Sequence, residues 1–181
     1  MRLLLLTVGL SLLSVARAQE EEEDNVVVPA HPQKLLGKWY IICWAGTIPI
    51  PREKRQEPLP PFHFVVSHNG QLQFRMHIRK PSRCQLLKLP FSTSQTPGNY
   101  TTWWKHLIFI WLLTPRSYGV AYFEDKMNNQ EINMMMLFSR TLDEDPGALS
   151  LFQEFVKRKG LNETEITAPP QAEACELPRE S

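Results

Sequence analysis

The side chains of this 181-residue chain best suited to chemistry are three cysteines, Cys43, Cys84 and Cys175, and five histidines, His31, His63, His68, His77 and His106. A cysteine becomes a nucleophile as its thiolate, which a nearby cation or helix N-terminus must favour. No Lys, Arg or His is evidently placed to do this for Cys43, and a buried free cysteine more often serves as a small hydrophobe. The histidines show no zinc-ligand spacing. His63 and His68 stand five apart, so a regular strand sends them to opposite faces. No Ser-His-Asp order or paired-carboxylate cleft emerges, and eight glycines leave little from which to build a phosphate-cradling loop. Asp143, Glu144 and Asp145 read as the capped, dipole-matched start of a helix. The expectation is a protein with no catalytic residues, no metal and no cofactor, and so no enzyme. Arg75, His77, Arg79, Lys80 and Arg83 could dock an acidic partner, but they lie on the polar face and end of one strand and read as its solvated outer side.

What must position these residues begins after an export signal. Arg2 forms a basic start, an apolar run extends from Leu3 to about Val15, and Ala16-Arg17-Ala18 offers a small-x-small cleavage site. The run is too short to span a bilayer, and no later run is long enough for a membrane helix. Residues 1–18 are therefore expected to be a signal peptide on a secreted, extracellular protein. The remaining 163 or so residues suit one domain, and their formal charge falls from +1 to about −1 as Arg2 and Arg17 leave, which gives nucleic acid no foothold. Residues 19–31 read as an acidic flexible N-terminus. Export makes the three cysteines readable as one disulfide and one leftover thiol. Asn99-Tyr100-Thr101 and Asn162-Glu163-Thr164 are N-glycosylation acceptors.

Short alternating segments separated by turn residues fill residues 37 to 140, the pattern of an antiparallel sandwich or barrel. Eight strands are expected: Gly37 to Ala45, Phe62 to Ser67, Leu72 to about Arg79, Cys84 to Phe91, Tyr100 to Trp103, His106 to Leu113, Tyr118 to Phe123 and Ile132 to Ser139. Ile48 to Pro61 reads as a long loop. Asn69-Gly70 is a strong hairpin signal. Past the strands, Asp145 can cap a helix over about 146–159. Pro146 stands at its first position, Leu149, Phe152, Phe155 and Val156 form an apolar stripe, and Gly160 ends it. A tail, 160–181, follows.

Gly37-Lys38-Trp39-Tyr40, preceded by the turn Pro32 to Leu36 and answered by Arg140 at the end of the last strand, resembles the lipocalin pattern. The resemblance spans essentially the whole mature chain. Arg83-Cys84-Gln85, Pro97-Gly98-Asn99-Tyr100-Thr101, Lys105-His106, Lys159-Gly160-Leu161 and the late Cys175 are similar to the tear-lipocalin and odorant-binding branch, with secreted epididymal lipocalins as near relatives. It implies an all-β fold with one C-terminal helix, an eight-stranded antiparallel up-and-down barrel over 37–140 within a lipocalin domain of 32–181. It also implies that Arg140 lies across Trp39 at the closed end, and that Cys84 pairs with Cys175. Many lipocalins carry Thr-Asp-Tyr where this chain has Thr114-Pro115-Arg116-Ser117-Tyr118. The departure bears on receptor contacts through that loop, not on the barrel.

If Trp39 points inward, period two sends Ile41, Cys43 and Ala45 inward from the first strand, Phe62, Phe64 and Val66 from the second, and Phe74, Met76 and Ile78 from the third. With Cys84 facing the tail, Leu87, Leu89 and Phe91 face in. Ile108, Ile110, Tyr118, Val120, Tyr122, Met134 and Met136 complete the wall, and Met135 falls outside beneath the helix. Such an interior has almost no charge, so the resemblance and the residues together imply small-molecule binding and transport. The expected ligand is a hydrophobic fatty acid, retinoid, steroid or odorant, carried by a monomer. Two alternatives stand beside this. One is a Cys43-dependent lipid isomerase, although the prostaglandin-isomerising lipocalin carries its thiol on the second strand. The other is an interaction protein with a vestigial cup, whose partner would be a cell-surface receptor or protease.

Overall fold

The computed structural model describes residues 26–176, apart from 48–49, 103–105, 115–116 and 128. The expected signal peptide, the acidic run Glu20 to Asp24, and Ile48, Trp103, Lys105, Pro115 and Arg116 lie outside the described residues. Nine strands are present among those described: β1 (Val26–Pro29), β2 (Gly37–Gly46), β3 (Phe62–Val66), β4 (Leu72–Lys80), β5 (Arg83–Thr93), β6 (Asn99–Thr102), β7 (Leu107–Thr114), β8 (Tyr118–Met127) and β9 (Gln130–Ser139). Two one-turn helices, α1 (Pro32–Leu35) and α2 (Arg52–Arg55), precede β2 and β3, and α3 (Pro146–Arg158) follows β9. Strands β2 to β9 pair antiparallel in sequence order, and β9 returns to β2, closing an eight-stranded ring. Among the described residues no helix is long and apolar enough to cross a membrane.

The base of the ring is fastened by the Trp39 and Arg140 pair. The Arg140 guanidinium lies 3.6 Å from the centroid of the Trp39 ring. It also donates to the carbonyls of Lys38 (2.9 Å), Lys34 (3.0 Å) and Leu36 (2.8 Å). Trp39 Nε1 donates to the Leu35 carbonyl at 2.6 Å. Gly37 is required between them: its φ is +101°, and a Cβ there would sit 3.1 Å from Arg140 Nη1.

The first departure from expectation is β1, which forms inside the stretch read as a flexible N-terminus. Strand β6 has only four residues and pairs with β7 no further than Phe109. The rest of that β7 edge would be left unpaired, and β1 covers it with Val26 opposite Thr114 and Pro29 opposite Trp111. Tyr100 Oη then donates to the Ala30 carbonyl at 2.6 Å.

Helix α3 begins as its residues dictate. Asp145 Oδ1 accepts from the amides of Gly147 (2.9 Å) and Ala148 (3.1 Å). It ends in a Schellman turn at Gly160, φ +70°, where Gly160 N donates to the Lys157 carbonyl and Leu161 N to that of Val156. Ala148, Phe152 and Val156 are buried against the outer faces of β2, β8 and β9, through Cys43, Ala45, Tyr118, Val120, Tyr122, Met135 and Leu137. Leu149, expected in that stripe, is exposed, and Phe155 packs at its margin.

The tail runs back along β2. Trp44 and Thr167 exchange backbone hydrogen bonds of 2.9 and 2.8 Å, Gln171 Nε2 donates to the Ile41 carbonyl at 2.8 Å, and Cys175 is bonded to Cys84. The disulfide closes a separation of 91 residues, for which loop-closure entropy suggests up to about 4.6 kcal/mol. Cys84→Ser should therefore lower the unfolding free energy by about 2–5 kcal/mol in urea titration, in line with loss of a native bridge in a small domain. Trp39→Ala should cost about 3–5 kcal/mol in the same measurement, since it removes a buried aromatic and leaves Arg140 without its ring. A loss below about 1 kcal/mol would mean the base does not hold the barrel.

Candidate functional site

Inside the ring lies a cavity of about 380 Å³, within the range of about 300–1,000 Å³ usual for small-molecule sites. Its floor is aromatic. Phe62 stacks on Phe74 with centroids 4.9 Å apart and meets Phe64 edge-on at 5.5 Å, and Phe64 meets Phe91 at 5.8 Å. Phe138 stands between this cluster and the base, 4.9 Å from Trp39 and 5.8 Å from Phe62. The opposite wall is aliphatic and sulfur-bearing, with Ile108 and Ile110 from β7 and Met134 and Met136 from β9. Methionine's unbranched, polarizable chain can re-pack around differently shaped occupants.

Nine of the residues expected to face inward line this cavity: Phe62, Phe64, Phe74, Leu89, Phe91, Ile108, Ile110, Met134 and Met136. Ile41, Met76 and Ile78 belong to the same interior core without bordering the cavity. Leu87 is 42% exposed, opposite Met76 in the row of Phe62, the first residue of β3, beyond which the β4–β5 hairpin has no β3 neighbour. Val66, at the last position of β3, is 52% exposed.

Cys43, Ala45, Tyr118, Val120 and Tyr122, expected inward, lie on the opposite face, where all five pack beneath α3. For Cys43 the cause is a bulge in β2 between Ile41 and Cys43, opposite Phe138 and Leu137 of β9. The extra residue reverses the alternation, so Trp39, Ile41 and Trp44 face in while Cys43 and Ala45 face out. In β8 the inward residues are Gly119, Ala121 and Phe123. The bulkier tyrosines and valine fill the helix interface, and a Cβ at Gly119 would run into the Phe138 ring. Met135 lies outside beneath the helix, as its alternation with Met134 and Met136 requires. Burial pushes the Cys43 thiol up to about 12, so it is a protonated thiol at neutral pH, turned away from the cup.

Two polar residues of the lining went unrecognised in the sequence. Thr102 is 5% exposed, and its Oγ1 has no hydrogen-bond partner among the described residues. Across from it Thr102 N donates to the His106 carbonyl at 3.1 Å, and both side chains border the cavity. His106 Nε2 lies 3.1 Å from Asp125 Oδ2, an ion-pair distance, and its ring meets Phe123 edge-on at 5.3 Å. The signal was present: His106 shares the parity of Ile108 and Ile110, and Thr102 that of Tyr100. The described residues hold no cluster of three metal-ligating side chains. Arg75 lies on the outer face, donating to Gln73 Oε1 at 2.7 Å. A second hollow, about 340 Å³, lies outside the barrel between Val27, Trp111, Met135 and the end of α3.

The lipocalin / cytosolic fatty-acid binding protein family matches residues 36–173. Lipocalin-1 of Sus scrofa is 30% identical over 176 residues, covering 97% of either chain. The extracellular fatty acid-binding protein of Coturnix japonica is 24% identical over 178 residues, again covering 97% of both. Among solved structures, that of the siderocalin Ex-FABP, described as functioning through dual ligand specificities, superposes with a TM-score of 0.64 at 17% identity. It covers 82% of this chain and 97% of its own.

The outward turn of Cys43 has a direct check. Iodoacetamide should leave Cys43 unmodified in the native protein at about pH 8 and label it fully in urea, as read by peptide mass. Rapid native labelling would place the thiol in solvent and overturn the bulge assignment.

Proposed function

Because the chain belongs to the lipocalin / cytosolic fatty-acid binding protein family, we propose that it is a secreted carrier holding a small hydrophobic molecule in its barrel cup. The observation that carries this reading is the cavity of about 380 Å³ lined by phenylalanine, isoleucine and methionine. The ligand contacts of this reading are Phe62, Phe64, Phe74, Leu89, Phe91, Ile108, Ile110, Met134 and Met136, with Ala121, Phe123 and Phe138 added by the cavity's shape. Burying roughly 300 Å² of apolar ligand at ~25 cal/mol per Å² gives about 7–8 kcal/mol. Association and ordering costs reduce this, so the expected affinity is about micromolar.

Secretion is supported by the basic start, apolar run and Ala16-Arg17-Ala18 of the first residues, and by the Cys84–Cys175 disulfide, which suits an oxidising compartment. Asn162 is exposed ahead of a short 3₁₀ turn and suits an attached glycan, whereas Asn99 is half-buried in β6.

An apolar fluorescent probe should bind in a 1:1 ratio and be displaced by a fatty acid, retinoid or sterol. Phe74→Arg should abolish binding, because an unpaired cation beside Phe62 either costs several kcal/mol or draws water into the cup. Arg75→Ala, on the outer face, should leave the titration unchanged. If the wild type takes up no probe, the carrier reading falls and a receptor-binding role with an idle cup replaces it.

A further inference from the structure

The two polar residues of the lining, Thr102 and His106, are not scattered: with Asp125 of β8 behind them they form one band. The register that places Ile108 opposite both Tyr100 and Phe123 puts Thr102 level with His106, and His106 level with Asp125. The contacts agree: Thr102 N donates to the His106 carbonyl, and His106 Nε2 lies 3.1 Å from Asp125 Oδ2. Because β6 ends at Thr102 and β7 begins at Leu107, the band lies at the end of the barrel away from the Trp39 base. Within it, Thr102 Oγ1 is buried, borders the cavity and lacks a partner among the described residues. A buried hydroxyl without a partner costs free energy that a ligand supplying the missing hydrogen bond would recover.

We propose that this band is a head-group site, and that the carrier's preferred ligand is a neutral amphiphile with one hydroxyl end, such as a long-chain alcohol, retinol-like or sterol molecule. The inference rests on the carrier reading and narrows it. The hydrocarbon lies over the phenylalanines, and the hydroxyl meets Thr102 Oγ1 beside His106. A fatty-acid carboxylate fits less well. His106 stands against Asp125, whose carboxylate lies 3.1 Å from His106 Nε2 and accepts from the Lys126 amide at 2.7 Å. A second carboxylate beside it meets like charge.

Displacement of an apolar fluorescent probe by 1-dodecanol, dodecanoic acid and dodecane tests this at neutral pH. Wild type should bind dodecanol tightest. Thr102→Val, close in shape, should weaken dodecanol about five- to tenfold, the worth of one hydrogen bond, and leave dodecane unchanged, while Thr102→Ser keeps the dodecanol affinity. Asp125→Asn should raise dodecanoate affinity relative to dodecanol. If Thr102→Val weakens all three ligands equally or none, or if wild type prefers dodecanoate, the head-group assignment is overturned while the carrier reading stands. Failure of wild type to bind any of the three overturns both.

Discussion

A single side chain fixes the barrel's closed end. Arg140 is the residue after β9, yet its guanidinium lies on Trp39 of β2, held there by N–H donation to three carbonyls, those of Lys34, Leu36 and Lys38. Two of those carbonyls belong to the end of α1 and the turn after it, where no helical or sheet partner exists. The cation–π contact alone is worth about 0.5–2 kcal/mol. Its larger effect is geometric: it joins the first strand of the ring to the end of the last, at the point where β2 and β9 must meet for closure. With that end sealed by Trp39 and Phe138, apolar side chains can line a space above it without water entering from below.

Closure also gives each strand two different faces, and here both are largely apolar on one side of the ring. Strands β8 and β9 look inward to the cup and outward to α3. Met134, Met136 and Phe138 line the cavity, while Met135 and Leu137 pack under Phe152 and Val156. Size, not polarity, then separates the faces. Gly119 is small because the Phe138 ring occupies the space in front of it, so the larger Tyr118, Val120 and Tyr122 fall on the helix side.

That double burial explains which parts of the fold were legible in the sequence. In β4, with charge on its outer face, Phe74, Met76 and Ile78 alternate with Gln73, Arg75 and His77, and the inward set follows at once. The Gly37-x-Trp39 start, the Asn69-Gly70 hairpin and the Asp145 cap carry their geometry in residue type. In β8 both parities are hydrophobic, so alternation cannot choose between them, and the bulky residues point away from the cup. The bulge that reverses Cys43 leaves no local mark, since Tyr40-Ile41-Ile42-Cys43-Trp44 reads equally well with or without an extra residue. Val26-Val27-Val28 reads as a strand only when the short β6 is known to leave β7 uncovered. His106 and Thr102 were hidden by residue class, not by position: their parity matched the interior, but polar side chains at strand ends read as surface.

The bulge and the tail belong to one arrangement. Strand β3 pairs with β2 only from Gly37 to Trp39, so the far half of β2 has no strand on that side. The tail fills the gap, with Thr167 bridging Trp44 and Gln171 reaching the Ile41 carbonyl on the near flank of the bulge. This keeps Trp44 facing the interior core, where the Arg55 guanidinium of α2 lies 5.9 Å from its ring. Cys175 anchors the tail to β5, across the short β3 and β4 from β2. A covalent bond on one wall thereby holds in place the segment that completes another, and the wall so completed turns Cys43 out of the cup. The absence of a reactive thiol from the interior is thus a consequence of how the barrel compensates for a short strand, and it leaves the cup to the apolar side chains and the polar band at its far end.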